Sequence, residues 1–269
     1  TLSFSSMPDW KFVSDWYRDI TTNKIKFDYI FDETYAEILK GKENASQLKK
    51  AKLFYEYILK NITYSKFSFM QSNFIPQKAS RTIATRLGDC KDVSILFVTF
   101  CRNAGIKANL VLIATRDNGQ NLLPLPRINF NHCIAQLEVD GKTYYLELTD
   151  NKLPFGAALE VDLQSPILPI PYDKEPPVNQ ILAMDMPFRD PNVVDRTLDV
   201  SFSGNDMIMR SSSARQGSMA SYMRQYYANL GEVEQLKQIN QSVASDYNTP
   251  AKVSNISFVN LDNLNDTLY

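Results

Sequence analysis

The sequence holds a single histidine, His132, in 269 residues. Any centre built on paired histidines is excluded, and all imidazole chemistry must run through that one ring. Cysteine is nearly as scarce: Cys90, Cys101 and Cys133 make an odd number with no CxxC pair. They form neither a disulfide framework nor a zinc-ribbon pattern, and at least one thiol stays free. A zinc site from Cys90, Cys133 and His132 is disfavoured because the spacings fit no ligand pattern, so neither metal nor cofactor is expected. No apolar run approaches the roughly 20 residues of a membrane helix, and Thr1-Leu2-Ser3-Phe4 shows neither a basic n-region nor a cleavage site. Twenty-nine basic and thirty acidic residues leave a net charge of -1. That removes the electrostatic footprint of a nucleic-acid or anionic-membrane binder. Because the chain begins at Thr1 and not at Met, a piece of a longer protein is expected.

What is present is material for a core: 44% of the residues are hydrophobic, enough for one large domain or two smaller ones. Trp10, Val13, Trp16, Tyr17 and Ile20 recur at helical spacing, a stripe that reads as a core face before an aromatic ligand platform. A short helical run over 35–39 stops at Gly41, and a stronger one over 46–61 aligns Ala51, Phe54, Tyr55 and Ile58 and leaves its lysines to solvent. The stretch 63–76 reads as extended chain or loop, closed by Pro76. A short helix over 78–86 then meets Gly88, whose freedom in φ is expected to allow a tight turn.

From Cys90 the apolar residues Val93, Leu96, Phe97, Phe100 and Ala104 predict a buried helix ending at Gly105. The aliphatic block 108–115 predicts a strand buried on both faces. A long loop over 116–131 follows, and its length marks it as a candidate lid or substrate wall. Segments 132–139 and 142–149 flank Asp140-Gly141, the signal of a tight hairpin. The proline-rich segment 154–191 predicts an irregular strap or linker. Beyond it we expect a hairpin over 197–210, two helices over 218–244 broken near Gly231, and a strand over 253–259. The boundary is placed near residue 190, giving a domain over 1–190 with its core at about 46–160, and an extension or partial domain over 191–269.

Three stretches carry chemistry. Arg86-Leu87-Gly88-Asp89-Cys90-Lys91-Asp92 puts a thiol in a polar setting at a helix start. A free thiol, with a reference pKa of about 8.5, is only slightly ionised at neutral pH and needs activation. A helix N-terminus and an imidazole both favour the thiolate. Asn129-Phe130-Asn131-His132-Cys133 supplies the only available base. Hairpin pairing brings the end of Tyr145-Leu146-Glu147-Leu148-Thr149-Asp150 beside it, so that Glu147 or Asp150 can orient the ring. Cys101, among Phe97, Phe100 and Ala104, reads as core. Cys133, next to His132 on a strand, must face the other way. An oxyanion would need donors, for which the Cys90 amide and Gln71 are the candidates.

As a set, these three stretches resemble the transglutaminase-like superfamily of cysteine enzymes over about residues 8–160. They are most similar to bacterial proteins in which such a domain follows an N-terminal β-rich domain of unknown function. The resemblance implies an α+β, papain-like fold with a nucleophile helix packed on an antiparallel sheet, plus a smaller, mixed α/β C-terminal extension. It also implies Cys90 as nucleophile, His132 as base and a carboxylate at position 147, where the family's Asp is replaced by Glu147. The implied reaction is acyl transfer, with hydrolysis expected before crosslinking, on a protein, peptide or peptidoglycan-type amide. The implied location is periplasmic or exported. The competing expectation is an inactive binding or scaffold module for a protein or glycan, motivated by the Glu147 departure. No nucleic-acid partner is expected.

Overall fold

The computed structural model describes residues 4–66, 74–118, 123–172, 175–248 and 250–269. The chain forms two compact units, one comprising Thr1–Asn151 and Phe155–Arg189, the other Lys152–Pro154 and Asp190–Tyr269.

In the first unit, helices α1 (Trp10–Thr22), α2 (Tyr29–Leu39) and α3 (Gln47–Asn61) precede the central helix α5 (Cys90–Asn103). Asp9, Asp28 and Ser46 begin the first three, each accepting a hydrogen bond from a first-turn amide. Trp10, Val13 and Tyr17 of α1 are buried, the core face that their spacing predicts, and Trp10 meets Phe130 edge-on at 6.2 Å. The second helix begins earlier than its apolar pattern suggests, because Asp28 caps it.

Every residue of α5 from Cys90 to Cys101 is buried. The helix lies against α3, the short helix α4 (Ala79–Thr85), β3 (Lys107–Ile113) and β4 (His132–Val139). These strands belong to an antiparallel sheet of order β5-β4-β3-β6-β7, with β5 at Lys142–Leu146, β6 at Pro166–Ile170 and β7 at Leu182–Ala183. The Cys90 helix packed on an antiparallel sheet is the α+β arrangement expected. Asp140 and Gly141 turn the β4–β5 hairpin with φ of 52° and 72°, the left-handed pair that a tight hairpin demands.

Three expectations require correction. The proline-rich segment does not stay outside the sheet: β6 pairs with β3 along Leu110–Ile113, and Ile167, Leu168 and Ile170 are fully buried. Prolines are tolerated there because Pro166 starts the strand and β7 pairs only as far as Ile167, so Pro169 faces no further ladder on that side. Gly88 is needed for room, not for φ. The left-handed residue is Arg86 at φ 53°, whereas a Cβ on Gly88 would stand 2.9 Å from Asp92 Cβ and 3.1 Å from Thr82 Cγ2. The third concerns 253–259, which is irregular chain and not a strand.

The second unit holds the hairpin β8 (Val194–Ser203) and β9 (Asp206–Arg215), then α6 (Gly217–Tyr227) and α7 (Glu232–Tyr247). Every residue of β8 is exposed. The unit's largest fully buried side chain is Arg224 of α6, which donates to the carbonyls of Asn263 at 2.6 Å and Asp266 at 2.7 Å and so ties the 260–266 segment to the helix. Among the described residues no helix is long and apolar enough to cross a membrane.

Candidate active site

Cys90 is the first residue of α5, and the chain ahead of it is fixed from two sides. A short parallel pair, β1 (Thr63–Tyr64) with β2 (Leu87–Gly88), is extended by Ser65 N–H donating to the Gly88 carbonyl at 2.8 Å. Asp89 then caps the helix: its carboxylate accepts from the Lys91 and Asp92 amides at 3.1 and 3.2 Å, and Asp92 accepts from the Asp89 amide at 3.1 Å. Together these bonds satisfy three of the orphan donors of the first turn. Asp92 also accepts from the Gln77 amide at 2.7 Å and its side chain at 2.9 Å, which anchors the segment entering α4. Lys91, buried, forms an ion pair with Asp89.

The polar residues around Cys90 are therefore matched to one another. The Val93 amide donates to the Asp89 carbonyl at 3.0 Å. That leaves the Cys90 N–H as the first-turn amide with no acceptor among the described residues, and so the donor open to an oxyanion. Gln71, the other donor candidate, lies outside the described residues.

His132 opens β4, opposite Ile113. The preceding Asn131 ties the strand ends together: its amide nitrogen donates to the Thr115 hydroxyl at 2.6 Å and its oxygen accepts from the Thr115 N–H at 2.8 Å. The ring Nε2 lies 2.6 Å from Glu147 Oε2. Glu147 sits just past the end of β5, where its other oxygen accepts from the Thr149 amide at 2.7 Å and hydroxyl at 2.6 Å. Its own carbonyl accepts from the Tyr55 hydroxyl at 3.0 Å, so α3 supports it from below. The carboxylate on the ring thus comes from Glu147; Asp150, the alternative acid, is buried three residues further on.

Electrostatics agree with this geometry. Burial is the largest influence on His132 and works against its positive charge. It is outweighed by the Glu147 charge, a hydrogen bond with the Cys90 thiol and the hydrogen bond to Glu147, so the pKa stands well above the usual 6.5. Burial likewise opposes ionisation of Glu147, but the His132 charge and the bonds from His132 and Thr149 hold its pKa below 4.5. With Nε2 committed to Glu147, Nδ1 is the ring nitrogen left for the thiol. His132 keeps 14% of its side chain exposed, so the site reaches the surface at the imidazole.

Cys101 and Cys133 are fully buried and free, and burial pushes both thiols up, which fits inert core residues. Two neighbours escaped the sequence reading. Tyr64 is half-buried, its phenol pushed up to about 12 by burial and then by the charge at Cys90. Asp162, in the turn between β5 and β6, comes close to both His132 and Glu147. Neither carries a sequence signal: Tyr64 stands in an aromatic-rich stretch, and Asp162 in the segment taken for a strap.

Among the described residues, His132, Glu147 and Asp162 are the group that could hold a metal, one ligand atom from each lying within 4.8 Å of the others. Nε2 and both Glu147 oxygens are already engaged in hydrogen bonds. Each of those atoms is thereby matched by a group of this chain.

Residues 33–146 match the family model of the transglutaminase-like superfamily, a span from within α2 to the end of β5 that includes Cys90 and His132. A comparison with curated proteins finds no match. Among solved structures, the chain is similar to one from Parabacteroides distasonis ATCC 8503 described as a "putative protease". The identity is 13% and the TM-score 0.48, over 67% of this chain and 32% of that one. It is also similar to one from Cytophaga hutchinsonii described as a "putative cysteine protease", at 17% identity and a TM-score of 0.34, over 72% of this chain and 56% of that one. The chain thus spans less than two thirds of either.

Proposed function

Residues 33–146 being a transglutaminase-like domain, we propose that the chain performs cysteine-dependent acyl transfer, hydrolysing a peptide, isopeptide or related amide bond through a thioester. The observation that carries this reading is the 2.6 Å bond between His132 Nε2 and Glu147 Oε2, which orients the ring and leaves Nδ1 free to serve the thiol. A base held in one orientation by a buried carboxylate is what a nucleophilic cysteine requires.

In the reaction, the Cys90 thiolate attacks the amide carbonyl and a C–S bond forms. The carbonyl oxygen takes the negative charge and meets the Cys90 N–H. Protonated His132 then gives its Nδ1 proton to the nitrogen as the C–N bond breaks, releasing an amine and leaving the acyl group on sulfur. Water, losing a proton to Nδ1, attacks the thioester; the C–S bond breaks, the acid departs and the thiolate–imidazolium pair is restored. Glu147 stays ionised throughout and compensates the imidazolium. The binding-module alternative drew its weight from Glu147 replacing Asp, and a Glu147 carboxylate bonded to the ring favours the enzyme. A periplasmic or exported setting and a protein or peptidoglycan-type substrate belong to the same proposal.

A thiol-reactive amide substrate analogue tests it. Wild-type protein takes up one label and Cys90→Ala none; equal labelling of the two overturns the assignment.

A further inference from the structure

Asp162 is a buried carboxyl beside this site that no side-chain donor among the described residues engages. It lies in the turn following β5, its N–H donating to the Leu159 carbonyl at 3.1 Å and its carbonyl accepting from the Ser165 N–H at 3.0 Å. The residue is 1% exposed; no side chain among the described residues bonds either carboxyl oxygen, and the Leu159 backbone, the weakest influence on its pKa, is the carboxyl's one hydrogen-bonding neighbour among them. Burying such a group alone is costly, and a structural role at this point would be met better by an apolar residue. Yet its carboxyl faces the Glu147–His132 pair, with one atom of each of the three within 4.8 Å of the others.

We propose that Asp162 is a positioning residue of the same site: by holding or releasing its own proton beside Glu147, it sets how firmly His132 keeps the proton exchanged with Cys90. The inference rests on the reading of His132 as the base for Cys90. With Asp162 neutral, Glu147 faces the imidazolium without a second negative charge nearby. With Asp162 ionised, two carboxylates share one imidazolium, and the added negative charge favours the protonated ring.

The charged groups around Asp162 are Glu147 past β5, His132 on β4 and, in the turn after β3, Asp117, whose oxygen is held by the Thr115 hydroxyl at 2.6 Å, and Arg116, which donates to the carbonyls of Glu160 and Val161. Burial first, then the charges of Glu147 and Asp117, raise the Asp162 carboxyl to about 7 against the pull of His132. The change of state therefore falls near neutral pH, where a base must work.

Because His132 is the sole histidine, its imidazole resonances stand alone in an NMR pH titration. In Asp162→Asn the ring should lose its proton about one pH unit below the wild type, roughly tenfold in proton affinity. Asp162→Glu should move the titration back toward the wild type. Superimposable titrations of wild type and folded Asp162→Asn would overturn the proposal. Should Asp162→Asn not fold, the wild type alone decides: its ring shift shows an extra inflection near 7, and a flat baseline there counts against Asp162. The titration does not use Cys90 chemistry. An Asp162-dependent ring in a protein whose Cys90 fails to label sinks only the acyl-transfer reading, whereas a labelled Cys90 with unchanged titrations sinks only the role of Asp162.

Discussion

The mouth of α5 and the turn around Asp162 are both buried and acidic, yet they treat their carboxylates in opposite ways. At the helix mouth Asp89 and Asp92 are matched by backbone amides, Lys91 and Gln77. Across the site, the carboxyl of Asp162 is matched by no side-chain donor among the described residues. Fully satisfied polar groups make a rigid frame, here one that holds Cys90 at a helix start. An unsatisfied one is a source of electric field beside a titrating ring. On the proposed chemistry, the first region places the thiol and the second tunes its base.

Breaking the satisfied region should have the larger effect on stability. Asp92→Ala removes an acceptor used by the Asp89 amide and twice by Gln77. It should cost about 2–4 kcal/mol in urea unfolding; a loss below about 0.5 kcal/mol would mean that the box does not hold the helix start.

Repairing the unsatisfied region should have a smaller effect of opposite sign. An acid whose folded pKa is raised, here from 3.8 to about 7, costs nothing while protonated in both states. Its cost grows as pH rises through that interval and is complete above it. Asp162→Asn, free of that cost, should gain about 1–3 kcal/mol over wild type at pH 8. The gain should shrink steadily toward pH 5. A pH-independent difference would show that Asp162 does not change charge in this range.

The same contrast explains how much was legible in the sequence. Helices α1, α3 and α5 and the β4–β5 hairpin follow from apolar period and turn residues, because burial and local backbone geometry decide them. The bond between His132 and Glu147 was legible because the chain offers one imidazole and a hairpin that carries an acid beside it. Strand β6 was hidden by its prolines, whose tolerance depends on where a neighbouring strand ends. Asp162 was hidden for a deeper reason: an unpartnered carboxyl has no sequence pattern, since what defines it is the lack of donors brought near by the fold. Gly88 was picked out for the wrong cause, because the close approach of Asp92 and Thr82 is a tertiary fact.

The account depends most on Cys90 and His132 acting as one unit. Its most direct test is the alkylation rate of Cys90 near neutral pH, followed by mass spectrometry in wild type and His132→Ala. We predict at least a tenfold slower reaction at Cys90 in the variant, with buried Cys101 and Cys133 unlabelled in both proteins. Equal rates at Cys90, with the fold intact, would contradict it.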